Sequence, residues 1–314
     1  MKRKQLRFVG YCLTIGLIAC FTMGVVGCSL ITPSPSLPVI STEQFIPSTP
    51  TSTITLHKTT TKVQPTSTSN GEIKLADGAI AVNGTMNPIV LQYNPQTIDP
   101  SYAQLMAFLN QDNTDTIPYT STFVCADFAN TLYNDAESDG IRASVVILDG
   151  IDHAINAFQT TDNGLIYIDF TGNDPSLIQA VPPGETTFGT PNNHKKVAYL
   201  QVGKPLGLIS LDAANNYGFQ YSGYEQWEND KQIFDSDLSS YNNQMTIYNN
   251  EVETDNANGG VVTNSPEYLR LQSMSNSLAQ LNQQINNLAT KLGAFWMPPD
   301  ETITGIEVFW QGNY

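Results

Sequence analysis

Two unbroken heptad runs near the C-terminus constrain this chain more than any other feature. Trp227, Lys231, Phe234, Leu238, Tyr241, Met245, Tyr248 and Val252 are spaced 4-3-4-3-4-3-4. Leu271, Met274, Leu278, Leu281, Ile285, Leu288, Leu292 and Phe295 are spaced 3-4-3-4-3-4-3. Such spacing lays one apolar stripe along one side of a helix, and only Lys231 interrupts it. Each run predicts a helix of about 30 residues, roughly 45 Å long. Between them, Thr254 to Ser265 is polar and rich in Asn and Gly, with Ser265 placed as an N-cap and Pro266 in the first helical position. The pattern therefore predicts an antiparallel coiled-coil hairpin over residues 223–296. Such a hairpin packs on itself or serves as a partner-binding or oligomerising arm. Beyond it, in 297–314, Ile306, Val308 and Trp310 alternate as a closing strand. A strand that returns to a preceding sheet makes the hairpin an insertion.

The other end of the chain carries a different signal. Met1 to Arg7 is basic, and Phe8 to Gly27 is apolar and uncharged, which are the two parts of an export signal. Val25-Val26-Gly27-Cys28 resembles the lipobox of prokaryotic lipoproteins. The resemblance implies cleavage after residue 27, a lipid on the Cys28 sulfur, and a membrane partner reached through that lipid. An uncleaved anchor is the competing reading, because Phe8 to Ile31 is 24 residues and a spanning helix needs about 20. Either way the basic flank stays inside and the body lies outside the cytoplasm. Residues 28–70 then form a tether. Of residues 29–70, 19 are Ser or Thr and 6 are Pro, with no apolar period to offset ordering entropy. Random-coil scaling gives this tether a span of roughly 35 Å. His57 falls within it and is read as inert.

The net charge of −15 becomes −19 once Lys2, Arg3, Lys4 and Arg7 leave with the signal. Nucleic acid is excluded as a partner, because phosphate contacts need a basic patch. The balance also disfavours adsorption to anionic lipid and favours solubility outside the cell.

The body, residues 71–222, is read as α+β. Glu72 to Asn83 and Met86 to Tyr93 are short extended pieces, and Asp99 to Gln111 shows helical spacing. Asp127 to Asp139 reads as a helix stopped at Gly140. Arg142 to Asp149 is a strand with a continuous apolar run, and His153 to Gln159 and Leu165 to Phe170 form a hairpin across Asn163-Gly164. Of the four cysteines, Cys12, Cys20 and Cys28 belong to the signal, so Cys125 is the one thiol of the body. It stands at the start of the 127–139 helix, where free N–H groups and the dipole favour a thiolate. His153 opens one hairpin strand and Asp169 nears the close of the next, so pairing puts both at the end away from the turn. Cysteine, histidine and aspartate then make a nucleophile, a base and an orienter. Asp152 and Asp162 are rival carboxylates; the first precedes its strand, and the second lies at the turn.

With these residues in order, the chain resembles the transglutaminase-like superfamily of papain-type folds. The matching pieces are Cys125, Gly140-Ile141-Arg142-Ala143, His153-Ala154 and Asp169-Phe170-Thr171, covering about residues 95 to 175. The chain departs from the common pattern in carrying Phe123-Val124 where many relatives have Gly before the cysteine. The resemblance implies a Cys-bearing helix packed on an antiparallel sheet, and a thioester formed on Cys125. It implies that His153 shuttles the proton, that Asp169 holds the imidazole tautomer, and that the backbone N–H of Cys125 serves the oxyanion. Asn156 and Tyr167 are candidate supporting groups, and a protein or peptide is the implied substrate. No cofactor is expected.

His194 lies in the Pro/Asn-rich stretch Pro191 to Lys196 and is read as solvated. Two body histidines and one thiol make no zinc site. Asp112-Asn113-Thr114-Asp115 fails as a calcium loop, since Ile117 replaces the required Gly and Phe123 the bidentate Glu. Three function classes follow: a cell-surface thiol hydrolase or acyltransferase, a catalytically silent peptide- or glycan-binding module, and an envelope scaffold working through its hairpin. For the anchor, Cys28→Ala is expected to release or misprocess the protein in membrane fractionation. Unchanged attachment and mass would mark the uncleaved anchor instead.

Overall fold

The structure is a computed structural model that describes residues 71–172, 177–179, 195–296 and 301–310. The signal, Cys28, the tether with His57, and His194 lie outside the described residues. Within them the chain is α+β, built on one antiparallel sheet. Its strands are β1 Ser144–Asp149, β2 His153–Thr160, β3 Gly164–Asp169, β4 Leu177–Gln179, β5 Lys196–Tyr199, β6 Gly207–Ser210, β7 Ala294–Trp296 and β8 Gly305–Trp310. They lie in the order β4-β7-β6-β5-β3-β2-β1-β8, and every neighbouring pair is antiparallel. The expected hairpin is β2–β3, and the expected closing strand is β8, paired along β1 from Ser144↔Trp310 to Asp149↔Gly305. Four short strands, β4 to β7, extend the sheet on the other side.

Side chains alternate between two apolar clusters. Ala154 and Phe158 of β2, with Ile166 and Ile168 of β3, join the cluster that holds α1 (Tyr102–Gln111) and α2 (Cys125–Ser138). Ile155 and Ala157 turn the other way, onto Val146, Leu148 and Val308, and Leu206 and Ile303 close that side. Covering both faces accounts for the uninterrupted apolar run of β1. The helix α1 starts later than its periodicity suggests, because Ser101 caps it by accepting the Gln104 N–H. Upstream, residues 71–91 form no ladder, only isolated bridges such as Glu72↔Val90 and Val82↔Pro88. They still bury Ile73, Ile89 and Leu91 in the main core.

The two long helices are α4 (Tyr221–Ala257) and α5 (Pro266–Leu292). They run antiparallel: Asp230 meets Lys291 at 2.7 Å near the sheet, and Glu251 meets Arg270 at 2.6 Å near the far end. Two expectations are corrected. The polar connector does not begin at Thr254, because nothing from Tyr224 to Asn258 breaks a helix before Gly259-Gly260. Phe295 is not the last position of the second helical seam. Gly293, at φ 61°, ends α5, and Phe295 becomes a residue of β7, paired with Ile209. Near the sheet the helices merge with the core. Trp227 stacks on Tyr224 at 5.5 Å, meets Phe295 edge-on at 4.9 Å, and donates its Nε1–H to the Leu292 carbonyl at 3.1 Å.

This gradient along the helices is testable by denaturant unfolding. Trp227→Ala is expected to cost about 3–5 kcal/mol, as large-to-small core changes do. Ile247→Ala, on an exposed face far from the sheet, is expected to stay within about 0.5 kcal/mol.

Candidate active site

The helix α2 begins at Cys125 for reasons its own sequence only partly supplies. Val124 takes an extended conformation and offers no side-chain cap. Asp127 supplies one by folding back, its Oδ2 accepting the Val124 N–H at 2.9 Å and the Gly84 N–H at the same distance. Gly84 can come this close because a Cβ there would sit 2.6 Å from the Thr122 carbonyl carbon. The N-terminal segment thus clamps the turn that delivers the cysteine. Within that turn, Thr120 and Phe123 bridge. Phe123 meets Phe128 edge-on at 4.7 Å, and Tyr119 stacks on the same ring at 6.1 Å.

Cys125 is a free, partly exposed thiol whose Sγ lies 3.9 Å from the Asp152 carbonyl oxygen. Asp152, a rival carboxylate by sequence, sits at φ 47° and turns its backbone oxygen toward the thiol. The other rival, Asp162, accepts the Tyr102 N–H at 2.7 Å at the start of α1, at the turn end of the hairpin. Neither takes the orienting position.

Asp169 does. The register Asn156↔Ile168 puts the opening of β2 and the close of β3 at one end of the ladder. His153 Nε2 lies 3.0 Å from Asp169 Oδ2. With Nε2 engaged by Asp169, Nδ1 is the ring nitrogen open to a second partner, and Cys125 and His153 each shift the other's ionisation. Burial opposes ionisation of all three groups, and neighbouring charges and hydrogen bonds overcome it. Burial raises the Cys125 thiol, but the His153 hydrogen bond and charge and the Ala154 N–H bring it below its ordinary value. Burial lowers His153, but the charge and hydrogen bond of Asp169, then those of Cys125, hold it well above the usual histidine range. Asp169 stays far below the carboxylate range against its burial, through Lys196, His153 and the Thr171 N–H, which donates to Oδ1 at 2.8 Å. The Asp-x-Thr spacing thus works through the Thr171 backbone.

Sequence reasoning missed three contributors. By sequence Lys196 falls with His194 in the stretch that reads as solvated. Instead Lys195 and Lys196 are buried at the entry to β5, with the Lys196 Nζ 3.8 Å from Asp169 Oδ2. Nothing in a four-residue strand that begins with lysine advertises burial. Tyr119 is the second. Its hydroxyl responds to the Cys125 backbone N–H as to a hydrogen-bond donor, and that N–H is the group expected to be free for an oxyanion. Burial, then the Cys125 charge, raise that hydroxyl above the ordinary tyrosine value, and the hydrogen bond partly offsets them. Asp127 is the third, and an acidic residue three positions after Val124 was the available signal.

The two proposed supporting residues differ in placement. Asn156 is buried and ties α2 to β1, donating through Nδ2 to the Ala129 carbonyl at 2.8 Å and the Ser144 carbonyl at 3.1 Å. It fixes the helix one turn past Cys125. Tyr167 packs with the second apolar cluster, and burial alone raises its hydroxyl. Among the described residues, no group of three or more His, Cys, Asp or Glu side chains is placed to hold a metal ion. No described helix is long and apolar enough to cross a membrane. Comparison with protein-family models, curated proteins and solved structures finds no match for this chain.

The opposed shifts predict a pH profile of stability. The raised His153 contributes stability that is full below the unfolded value of about 6.5 and is lost as pH rises through the folded value. The lowered Cys125 contributes stability that is full above about 8.5 and is lost as pH falls through its folded value. Between the folded and unfolded Cys125 values the two slopes oppose each other, so wild-type stability should fall less steeply with rising pH there than that of Cys125→Ala. In Cys125→Ala only the histidine share remains, and stability should decline from about pH 6.5 upward. Identical profiles for the two proteins would refute the ion-pair assignment.

Proposed function

We propose that this chain is an extracytoplasmic thiol enzyme of transglutaminase-like, papain-type architecture, cleaving or transferring amide or acyl bonds through a Cys125 thioester. The observation that carries this reading is the 3.0 Å contact of His153 Nε2 with Asp169 Oδ2, with Cys125 at a helix start and coupled in its ionisation to the same imidazole. The Cys125 thiolate attacks the acyl carbon, and the carbonyl oxygen takes the negative charge. The Cys125 backbone N–H at the start of α2 is the candidate donor to that oxygen, with the Tyr119 hydroxyl beside it and displaced from it when substrate binds. His153 then passes its proton to the leaving amine, and the C–N bond breaks to give the thioester. Water or an acceptor amine, deprotonated by His153, attacks the thioester and releases the thiol.

In the same reading, α4 and α5 are a coiled-coil insertion that carries substrate or partner contacts beyond the catalytic sheet. Lipidated Cys28 and the tether hold the body at the membrane on its extracytoplasmic side, at the cell surface or facing the periplasm, where protein or peptide substrates are met. The partial exposure of Cys125 supports access by such a chain.

The reading is tested with p-nitrophenyl acetate, which needs no specific recognition. Wild type is expected to release nitrophenol in a burst and to carry one acetyl group on Cys125 by intact-mass and peptide analysis. His153→Ala should acylate slower by about 100-fold or more, the usual share of a positioned acid–base group. Cys125→Ser should carry no adduct. Acetylation of wild type no faster than of His153→Ala would sink the enzyme reading.

A further inference from the structure

The most unusual buried group outside the three reacting side chains is Lys196, which is 1% exposed. It opens β5, and the β3–β5 register sets it directly across from Asp169. Its ammonium donates to the Thr171 carbonyl oxygen at 2.9 Å and stands 3.8 Å from Asp169 Oδ2. That oxygen is the one His153 Nε2 also meets, while Oδ1 is taken by the Thr171 N–H. Burying an ammonium is costly unless it is paired and hydrogen-bonded, and a lysine that only filled space here would be disfavoured against an apolar residue.

We infer that Lys196 is a positioning residue of this site, sharing Asp169 Oδ2 with His153 so that the carboxylate stays ionised yet does not hold the imidazolium proton too firmly. The inference rests on the thiol-enzyme reading above. A general acid must release its proton to the leaving amine, and an unshared buried carboxylate would resist that release. When His153 is neutral, the Lys196 charge keeps Asp169 an acceptor, so the ring stays oriented. Among the described residues, the charged and titratable groups around Lys196 include Asp169 from β3, His153 from β2 and, across the imidazole, Cys125 from α2. Lys195 turns its own ammonium to the Asp112 carbonyl oxygen, and buried Asp115 belongs to the turn packed on Gly172. Removing a cation makes proton loss harder for each neighbour, so the shift has a definite sign.

The test compares wild type with Lys196→Gln, Lys196→Met and Lys196→Arg. Gln is chosen to retain a donor toward the Thr171 carbonyl, so it controls for lost packing and lost hydrogen bonding; folding is checked by thermal unfolding. The thiolate is followed by iodoacetamide alkylation of Cys125 across pH, and the imidazolium by NMR titration of the His153 ring. In Gln and Met the ring should hold its proton to a pH higher by about one unit, the size of shift a nearby charge produces. Arg should restore the wild-type titration. If wild-type Cys125 alkylates as an ordinary thiol, the enzyme reading and this inference both fall. If wild type shows the lowered thiol but the Gln variant titrates as wild type does, this inference alone is overturned.

Discussion

Asp169 is a carboxylate at 1% exposure, and the arrangement around it follows from the need to satisfy that buried charge. A desolvated carboxylate without donors costs several kcal/mol. Two donors and a cation arrive from three places in the sequence: His153 from the start of β2, the Thr171 N–H from the chain just past β3, and the Lys196 ammonium, 3.8 Å away, from the start of β5. Each arrives only if β2, β3 and β5 keep their observed register, because a slip of one residue turns every side chain to the other face. The geometry that lowers the Cys125 thiol and the geometry that makes Asp169 tolerable are therefore the same.

The cysteine reaches this cluster by a separate route. Its helix is pinned at the start by Asp127, which binds Val124 within the turn and Gly84 from the N-terminal segment, and one turn further on by Asn156. A helix N-terminus that would fray in isolation is thus held at both places. Residues 71–91 supply none of the three side chains, yet they set where Cys125 sits. The aromatic contacts of Tyr119 and Phe123 on Phe128 hold the same turn from the solvent side.

The long helices divide into two physical regimes. Near the sheet, Tyr224, Trp227, Phe234, Ile285, Ala289 and Leu292 belong to the main core. Farther out, the seam residues Tyr241, Met245, Tyr248 and Val252 are only partly covered. The near part contributes to the stability of the sheet, and the far part is a projecting surface. In sequence the two look alike, because heptad spacing records which side of a helix is apolar and not what stands against it.

The sequence by itself determined the α+β class, the β2–β3 hairpin through Asn163-Gly164, the returning strand β8, the two long helices, and the identity and order of Cys125, His153 and Asp169. These are local signals: periodicity, turn chemistry and a helix start are written in neighbouring residues. Only the tertiary structure decided that Lys196 is buried on Asp169, that Tyr119 meets the Cys125 N–H, and that Gly84 holds the helix start. It also decided that Phe295 leaves its heptad for β7, since Gly293 ends the helix one turn early and a sheet position is waiting. Each of these rests on contacts between segments far apart in the chain. A lysine that begins a four-residue strand looks solvated until the strand beside it is known to end in a buried carboxylate, and that pairing is made by the fold.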